Sequence, residues 1–333
     1  MRKFLRRALG LALACVTALC AAAPALAAGV IDPERDAQLT IVYEQGETKL
    51  SGAQFDLYRV AAVDAYARMT RTARFSGYPI ALDGQDQSGW AALATTLKGY
   101  VWQDALEPDA TGQTDETGTL RFALSAGLYL VIGSRRTIGD VTYAATPFLV
   151  FLPGENLEEN TWDYAVTAYP KVEGEQNPAD DPDDRLVTRK VLKIWDDAQK
   201  ESGRPENITV HLLCDGEAYD TVTLSAENDW RYAWDNLERG HEWLVTEDAV
   251  TGYTQAVSQE GITFTVTNTA KPSTPTTPTT PTTPTTPTTP GRPGRPSLPQ
   301  TGQLWWPVLA LAAAGLGCIV IGLVRRKGSG RAS

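Results

Sequence analysis

Cysteine and histidine are scarce in this chain of 333 residues, which has four of the first and two of the second. Cys15 and Cys20 fall in an apolar N-terminal stretch and Cys318 in an apolar C-terminal one. Between them Cys214 stands alone, so no intramolecular disulfide can brace that region. His211 lies three residues from Cys214, but strand alternation sends the two to opposite faces and disfavours a shared metal. Neither histidine sits in a Ser or Cys nucleophile motif, and there is no phosphate-binding glycine loop. A turnover enzyme is therefore not expected, nor a cofactor or a metal centre. Basic charge is also short, with 30 Lys and Arg against 40 Asp and Glu. The two ends hold eight of the basic residues and none of the acidic ones, leaving a net charge of −18 between them. Such an acidic region speaks against nucleic acid as a partner and for a well-solvated surface.

The ends themselves are informative. Arg2, Lys3, Arg6 and Arg7 precede an apolar run from Ala8 to Ala22, and Ala25-Leu26-Ala27 fits the small-x-small cleavage rule. Residues 1–27 read as a signal peptide. At the other end, Leu298-Pro299-Gln300-Thr301-Gly302 is followed by 21 uncharged residues, Leu304 to Val324, and then Arg325-Arg326-Lys327. As a helix the apolar run reaches roughly 30 Å, enough to cross a bilayer. Trp305 and Trp306 suit one headgroup region and the basic triplet suits the cytoplasmic side. A permanent membrane anchor satisfies these features, and a GPI signal satisfies them less well because it needs no basic stop.

Between the ends the pattern is mostly strand. Leu39 to Tyr43, Ala53 to Val60, Thr119 to Leu124, Gly127 to Gly133, Val141 to Leu152 and Thr161 to Tyr169 predict a first domain over 28–171. Ser88 to Ala105 differs: Trp90, Leu93, Leu97, Tyr100 and Val101 recur at helical spacing with Ser88 as the expected cap. The acidic stretch 172–184, with Pro178 and Pro182, reads as a linker. A second domain over 185–269 has strands at Val187 to Trp195, Ile208 to Cys214, Tyr219 to Leu224, Trp230 to Trp234, Trp243 to Glu247 and Ile262 to Asn268. The fold class expected is all-β: two sandwiches in tandem, the first with a helical insertion. The Pro-Thr-Thr repeat within 270–297 favours an extended stalk of up to roughly 80 Å, with no packed core.

Several of these stretches resemble known families. The order LPQTG, apolar run and basic stop is similar to the cell-wall sorting signal of Gram-positive surface proteins. That resemblance implies a protein secreted and anchored to the cell wall, with a sortase attacking the Thr301 carbonyl and expelling Gly302 onward. Its partners are then sortase and peptidoglycan. Lys193-Ile194-Trp195, Arg204-Pro205, Asn228-Asp229-Trp230, Trp243 to Glu247 with Gly252-Tyr253, and Phe264 to Thr269 resemble the Cna B-type domain of Gram-positive adhesins and pilins. By position that family implies an isopeptide bond between Lys193 and Asn268 helped by the acid Glu247, with Trp195, Phe264 and Trp243 as apolar surroundings. Trp162 to Lys171 resembles the pilin motif WxxxVxVYPK, with Ala168 for the second valine. It implies that Lys171 bonds to Thr301 of a neighbouring pilin subunit. The first domain resembles pilin N-terminal domains through Leu50 to Tyr58, Gly118 to Phe122 and Gly127 to Val131. With no lysine in Leu39 to Tyr43 and Gly133 near the usual place of a helper glutamate, no bond is expected there. The rival expectation is a monomeric wall-anchored adhesin for a host or microbial surface ligand.

Overall fold

The computed structural model describes residues 29–176, 185–198 and 203–272. The expected signal peptide, most of the expected linker, the expected stalk from residue 273 and the expected sorting signal with Leu298 to Gly302 lie outside the described residues. No described helix is long and apolar enough to cross a membrane.

The first domain grows around β1 (Ala37–Val42), where buried Ala37, Leu39 and Ile41 alternate with more exposed neighbours, the mark of a sheet with one covered face. β1 pairs antiparallel with β7 (Thr119–Leu124) and parallel with β14 (Ala165–Ala168). The facing sheet has the order β11 (Phe148–Leu152), β8 (Gly127–Gly133), β4 (Gln54–Val63), β5 (Met69–Arg71), and β6 (Ala110–Gln113) also joins β4. Leu39, Ile41, Phe55, Leu57, Val131 and Val150 fill the space between the sheets. A smaller sheet joins β9 (Arg136–Ile138), β10 (Val141–Ala145) and β15 (Val172–Gln176). Two short hairpins, β2 (Glu44–Gln45) with β3 (Thr48–Lys49) and β12 (Gly154–Asn156) with β13 (Thr161–Asp163), complete the strands described for this domain.

The helix is α1 (Gln87–Gln103), and it forms a third layer. Its Leu93, Leu97 and Val101 pack with Leu128, Leu130 and Leu149 on the outer face of the second sheet. β8 is therefore buried on both faces along its whole length, which is why Gly127 to Gly133 is a continuous apolar run. The expected cap shifts by two residues. Asp86, not Ser88, caps α1, its Oδ1 accepting from Gly89 N at 2.8 Å, and the Ser88 hydroxyl donates to the same oxygen. Two expected strands are each split. Val141 to Leu152 breaks into β10 and β11 around Pro147, which has no N–H to donate. Thr161 to Tyr169 breaks into β13 and β14. The linker also begins later than expected. Val172–Gln176 forms β15 on β10 through main-chain pairing, its acidic side chains left in solvent.

The second domain is a two-sheet sandwich. β16 (Leu186–Asp196) lies between β19 (Arg231–Glu238), antiparallel, and β22 (Thr263–Ala270), parallel, and β21 (Tyr253–Glu260) closes that sheet. β17 (Asn207–Cys214) lies between β18 (Glu217–Ser225) and β20 (Trp243–Glu247) in the other. Val191, Val210, Leu212, Val245, Phe264 and Val266 form the core. β21 has no counterpart among the expected strands, because the buried Gln255 between Tyr253 and Val257 hides its alternation.

Candidate functional site

Parallel pairing of β16 and β22 sets Lys193 level with Val266 and Asn268 level with Trp195. Alternation turns Val191 and Lys193 inward on one strand and Phe264, Val266 and Asn268 inward on the other. Lys193 and Asn268 thus stand two positions apart on one inner face. Glu247, the last residue of β20, reaches them from the facing sheet. Its Oε1 lies 3.7 Å from Lys193 Nζ and accepts from Asn268 Nδ2 at 3.1 Å. The Lys193 and Glu247 side chains are 0% and 1% exposed, and Asn268 is 0% exposed.

Burial acts on the two charges in opposite senses. Loss of hydration holds the Lys193 amine well below the ordinary lysine value, against the pull of Glu247. The same cause pushes the Glu247 carboxyl well above the ordinary glutamate value, against Lys193 and Asn268. Both shifts favour the neutral pair, an amine beside a carboxylic acid. Lys193 Nζ also donates to the carbonyls of Ile194 at 3.0 Å and Val266 at 3.3 Å. Among the described residues, nothing donates to Glu247 Oε2 or Asn268 Oδ1. A half-turn of the Asn268 amide exchanges its oxygen and nitrogen and lets a protonated Glu247 donate to Oδ1.

The apolar surroundings differ in part from expectation. The Trp195 ring centre lies 4.2 Å from Lys193 Nζ, with Trp230 and Tyr253 edge-on to that ring. Phe264 is fully buried one inward position away, opposite Val191. Trp243 does not line the site. It stands four residues from Glu247, about 13 Å along a strand, and its ring meets Tyr219 and His241.

Lys171 follows Pro170 where the chain passes from β14 to β15. Its carbonyl accepts from Thr146 N at 3.0 Å, so the main chain is held. The side chain is 74% exposed and, among the described residues, its Nζ pairs only with its near neighbour Glu173, at 2.9 Å. In the first domain, a Cβ at Gly133 would lie 2.7 Å from Phe55 and 2.9 Å from Ala145, so the packing there has no room for a side chain. His211 and Cys214 do not meet: His211 contacts Thr221 and Asp248. A different histidine, His241, comes near Cys214 and Asp215. There Asp215 is occupied in closing a turn, accepting from Glu242 N at 2.7 Å and meeting His241 Nδ1 at 2.5 Å.

Sequence reasoning missed the other side of the site. α1 of the first domain lies across β20 and β21, the edge strands of the two sheets of the second domain. Thr96 Oγ1 accepts from Val257 N at 2.7 Å and the Pro79 carbonyl accepts from Gln255 N at 2.6 Å. Tyr100 donates to Gln255 Oε1 at 2.6 Å, and Gln255 Nε2 donates to the Asp248 carbonyl at 2.8 Å. Lys98 is buried, pairs with Glu242 and lies over the Trp102 ring. The one available signal was Gly99, a helix-weakening residue in the middle of a helical pattern.

Residues 31–173 match the family model for the Gram-positive pilin subunit D1, N-terminal domain, and residues 189–269 match that for the Cna protein B-type domain. A collagen adhesin of Staphylococcus aureus is 33% identical over 117 residues, a match spanning 30% of this chain and 10% of that protein. The chain thus spans about a tenth of the length of that curated relative. Among solved structures, a single B repeat unit of the S. aureus collagen binding surface protein is 16% identical, covering 71% of this chain and 98% of that one, with a TM-score of 0.25. The shaft pilin SpaA of Lactobacillus rhamnosus GG is 14% identical over 72% and 100%, with a TM-score of 0.27. The full-length major pilin SpaD of Corynebacterium diphtheriae is 18% identical over 72% and 65%, also with 0.27. Scores this low carry no argument of their own.

Proposed function

We propose that this chain, a Cna B-type pilin of the Gram-positive cell surface, is a subunit that sortase polymerises and links to peptidoglycan, with Lys171 as the receiving amine and Thr301 as the activated carbonyl. The observation that carries this is Lys171 itself: an exposed amine on a fixed main chain, after Pro170 in the short connection between β14 and β15. Water competes for any acyl-enzyme, so the amine has to be held in place for aminolysis to win. Each bond then joins the head of one subunit to the tail of the next, a heterologous contact that extends without closing. Cells making the wild-type chain with its sortase are expected to give a ladder of high-mass species that survives boiling in detergent. Lys171→Ala should leave wall-linked monomer alone. A ladder that persists in that variant assigns the amine elsewhere. No ladder in wild type favours the monomeric adhesin, the reading to which the collagen adhesin match points.

Within the second domain, Lys193 and Asn268 form an internal isopeptide bond with Glu247 as helper acid. A proton passes from Lys193 to Glu247, and the neutral amine attacks Asn268 Cγ while the carboxylic acid polarises Oδ1. The new C–N bond forms, the bond from Cγ to Nδ2 breaks, and the amide nitrogen leaves as ammonia with a proton that originates from the lysine. Amine plus primary amide becomes secondary amide plus ammonia, so nothing is oxidised or reduced. The support is the burial of all three side chains and the opposed shifts of the acid and the base.

A further inference from the structure

Strands β20 and β21 are edges of different sheets, and the side of the sandwich between them is open within the second domain. Glu247 stands at the end of β20, next to that opening. What covers it belongs to the first domain. β20 is buried at every position although it is an edge strand, because α1 lies over its outer face. Gly99 makes the approach possible: a Cβ there would lie 2.6 Å from Thr246 Cγ2, beside Glu247. The outward amides of β21 at Gln255 and Val257 donate to Pro79 and Thr96, so this edge is satisfied from the first domain too. Gln255 is 4% exposed and stands between Tyr100 and Asp248, the residue after Glu247, its two amide atoms engaged by the Tyr100 hydroxyl and the Asp248 carbonyl.

Resting on the isopeptide reading above, we propose that the first domain completes the bond-forming site of the second: docked α1 shuts water out from Glu247, and Tyr100, acting through Gln255, is a positioning residue for the reaction. The bond then forms only after the two domains have docked, which locks a correctly assembled pair. The order is natural for a chain exported N-terminus first, where the first domain emerges before β22. Electrostatics agree with the contact. Burial, the largest cause, holds the Tyr100 phenol far above its ordinary range, so Tyr100 remains a donor.

The test follows ammonia loss by intact mass in freshly synthesised exported chain containing both domains. Gly99→Ala should slow the loss by about tenfold, the effect of a carboxyl protonated tenfold less often. Thr246→Ser in the same chain removes the methyl group that the new Cβ meets and should restore the wild-type rate. Tyr100→Phe, which deletes one hydroxyl and leaves the ring packing, should slow the loss and move its alkaline limb to lower pH, a change that a merely structural role does not produce. If wild type keeps the calculated mass, the isopeptide reading itself fails. If wild type loses ammonia and Gly99→Ala and Tyr100→Phe lose it at the same rate and with the same pH profile, the bond stands and the role of the first domain is overturned.

Discussion

An ionised lysine and an ionised carboxylate inside a sandwich lose hydration that a separation of 3.7 Å only partly restores. Moving one proton across removes both charges, and burial shifts both Lys193 and Glu247 in that direction. The reactive state holds a single shared proton, which fixes the pH dependence. In acid both groups are protonated and the amine cannot attack. In alkali both are deprotonated and no acid polarises Asn268. The rate of ammonia loss should therefore be bell-shaped, with limbs that belong to the pair and not to either residue. Intact-mass time courses across buffers check it, and a rate that climbs without limit in alkali removes Glu247 from the acid role. Glu247→Ala should keep the calculated mass. Losing the proposed cross-link around the 76 residues from Lys193 to Asn268 costs about 4 kcal/mol on the loop-entropy relation. A calorimetric Tm lower by on the order of 10 °C is expected.

Elements are where local chemistry meets packing, and α1 is the clearest case. Its N-terminus depends on Asp86, whose carboxyl is held below the ordinary value of 3.8, first by the Gly89 amide and then by the Ser88 hydroxyl. A depressed folded value means that the stabilisation is present above the unfolded value and is lost as pH falls through the folded one. Asp86→Ala should lower the melting temperature at neutral pH. The gap from wild type should narrow as pH drops below 3.8, where the wild-type cap is protonated as well. A gap that is constant across that window places the effect in something other than the charged cap. β21 makes the complementary point. As an edge strand it lends two amides to the neighbouring domain, so its stability depends on a surface that is not its own.

At the scale of the whole molecule, the two domains share more than a linker. Lys98 pairs with Glu242, Arg135 reaches the Gly240 carbonyl, and Arg239 lies 3.7 Å from Glu175. In the polymer proposed above, a joined pair would transmit pull better than two beads on a string and would present Lys171 from a fixed frame. The anchoring proposal is tested on the same scale. Wild-type protein should leave the wall fraction only after peptidoglycan digestion. Release by detergent alone of full-length protein still carrying Val308 to Val324 makes the tail a plain membrane anchor.

Much of this was legible in the residues because it depends on neighbours in sequence. Alternation marks β1, β16 and β22, and the apolar face of α1 repeats at helical spacing. The resemblance of Lys193-Ile194-Trp195, Trp243 to Glu247 and Phe264 to Asn268 to a known domain named the three residues that the fold brings to one buried point. What could not be read depends on partners far away in the chain. Gln255 hides the period of β21 because its burial is granted by Tyr100, 155 residues earlier. Trp243 matches the motif around Glu247 yet is carried away from it by strand rise. Gly99 weakens its helix for no local reason, and only the closeness of Thr246, whose Cγ2 would lie 2.6 Å from a Cβ there, explains it. Periodicity records whether a side chain is covered; which surface covers it is decided by the long-range docking of one domain on another.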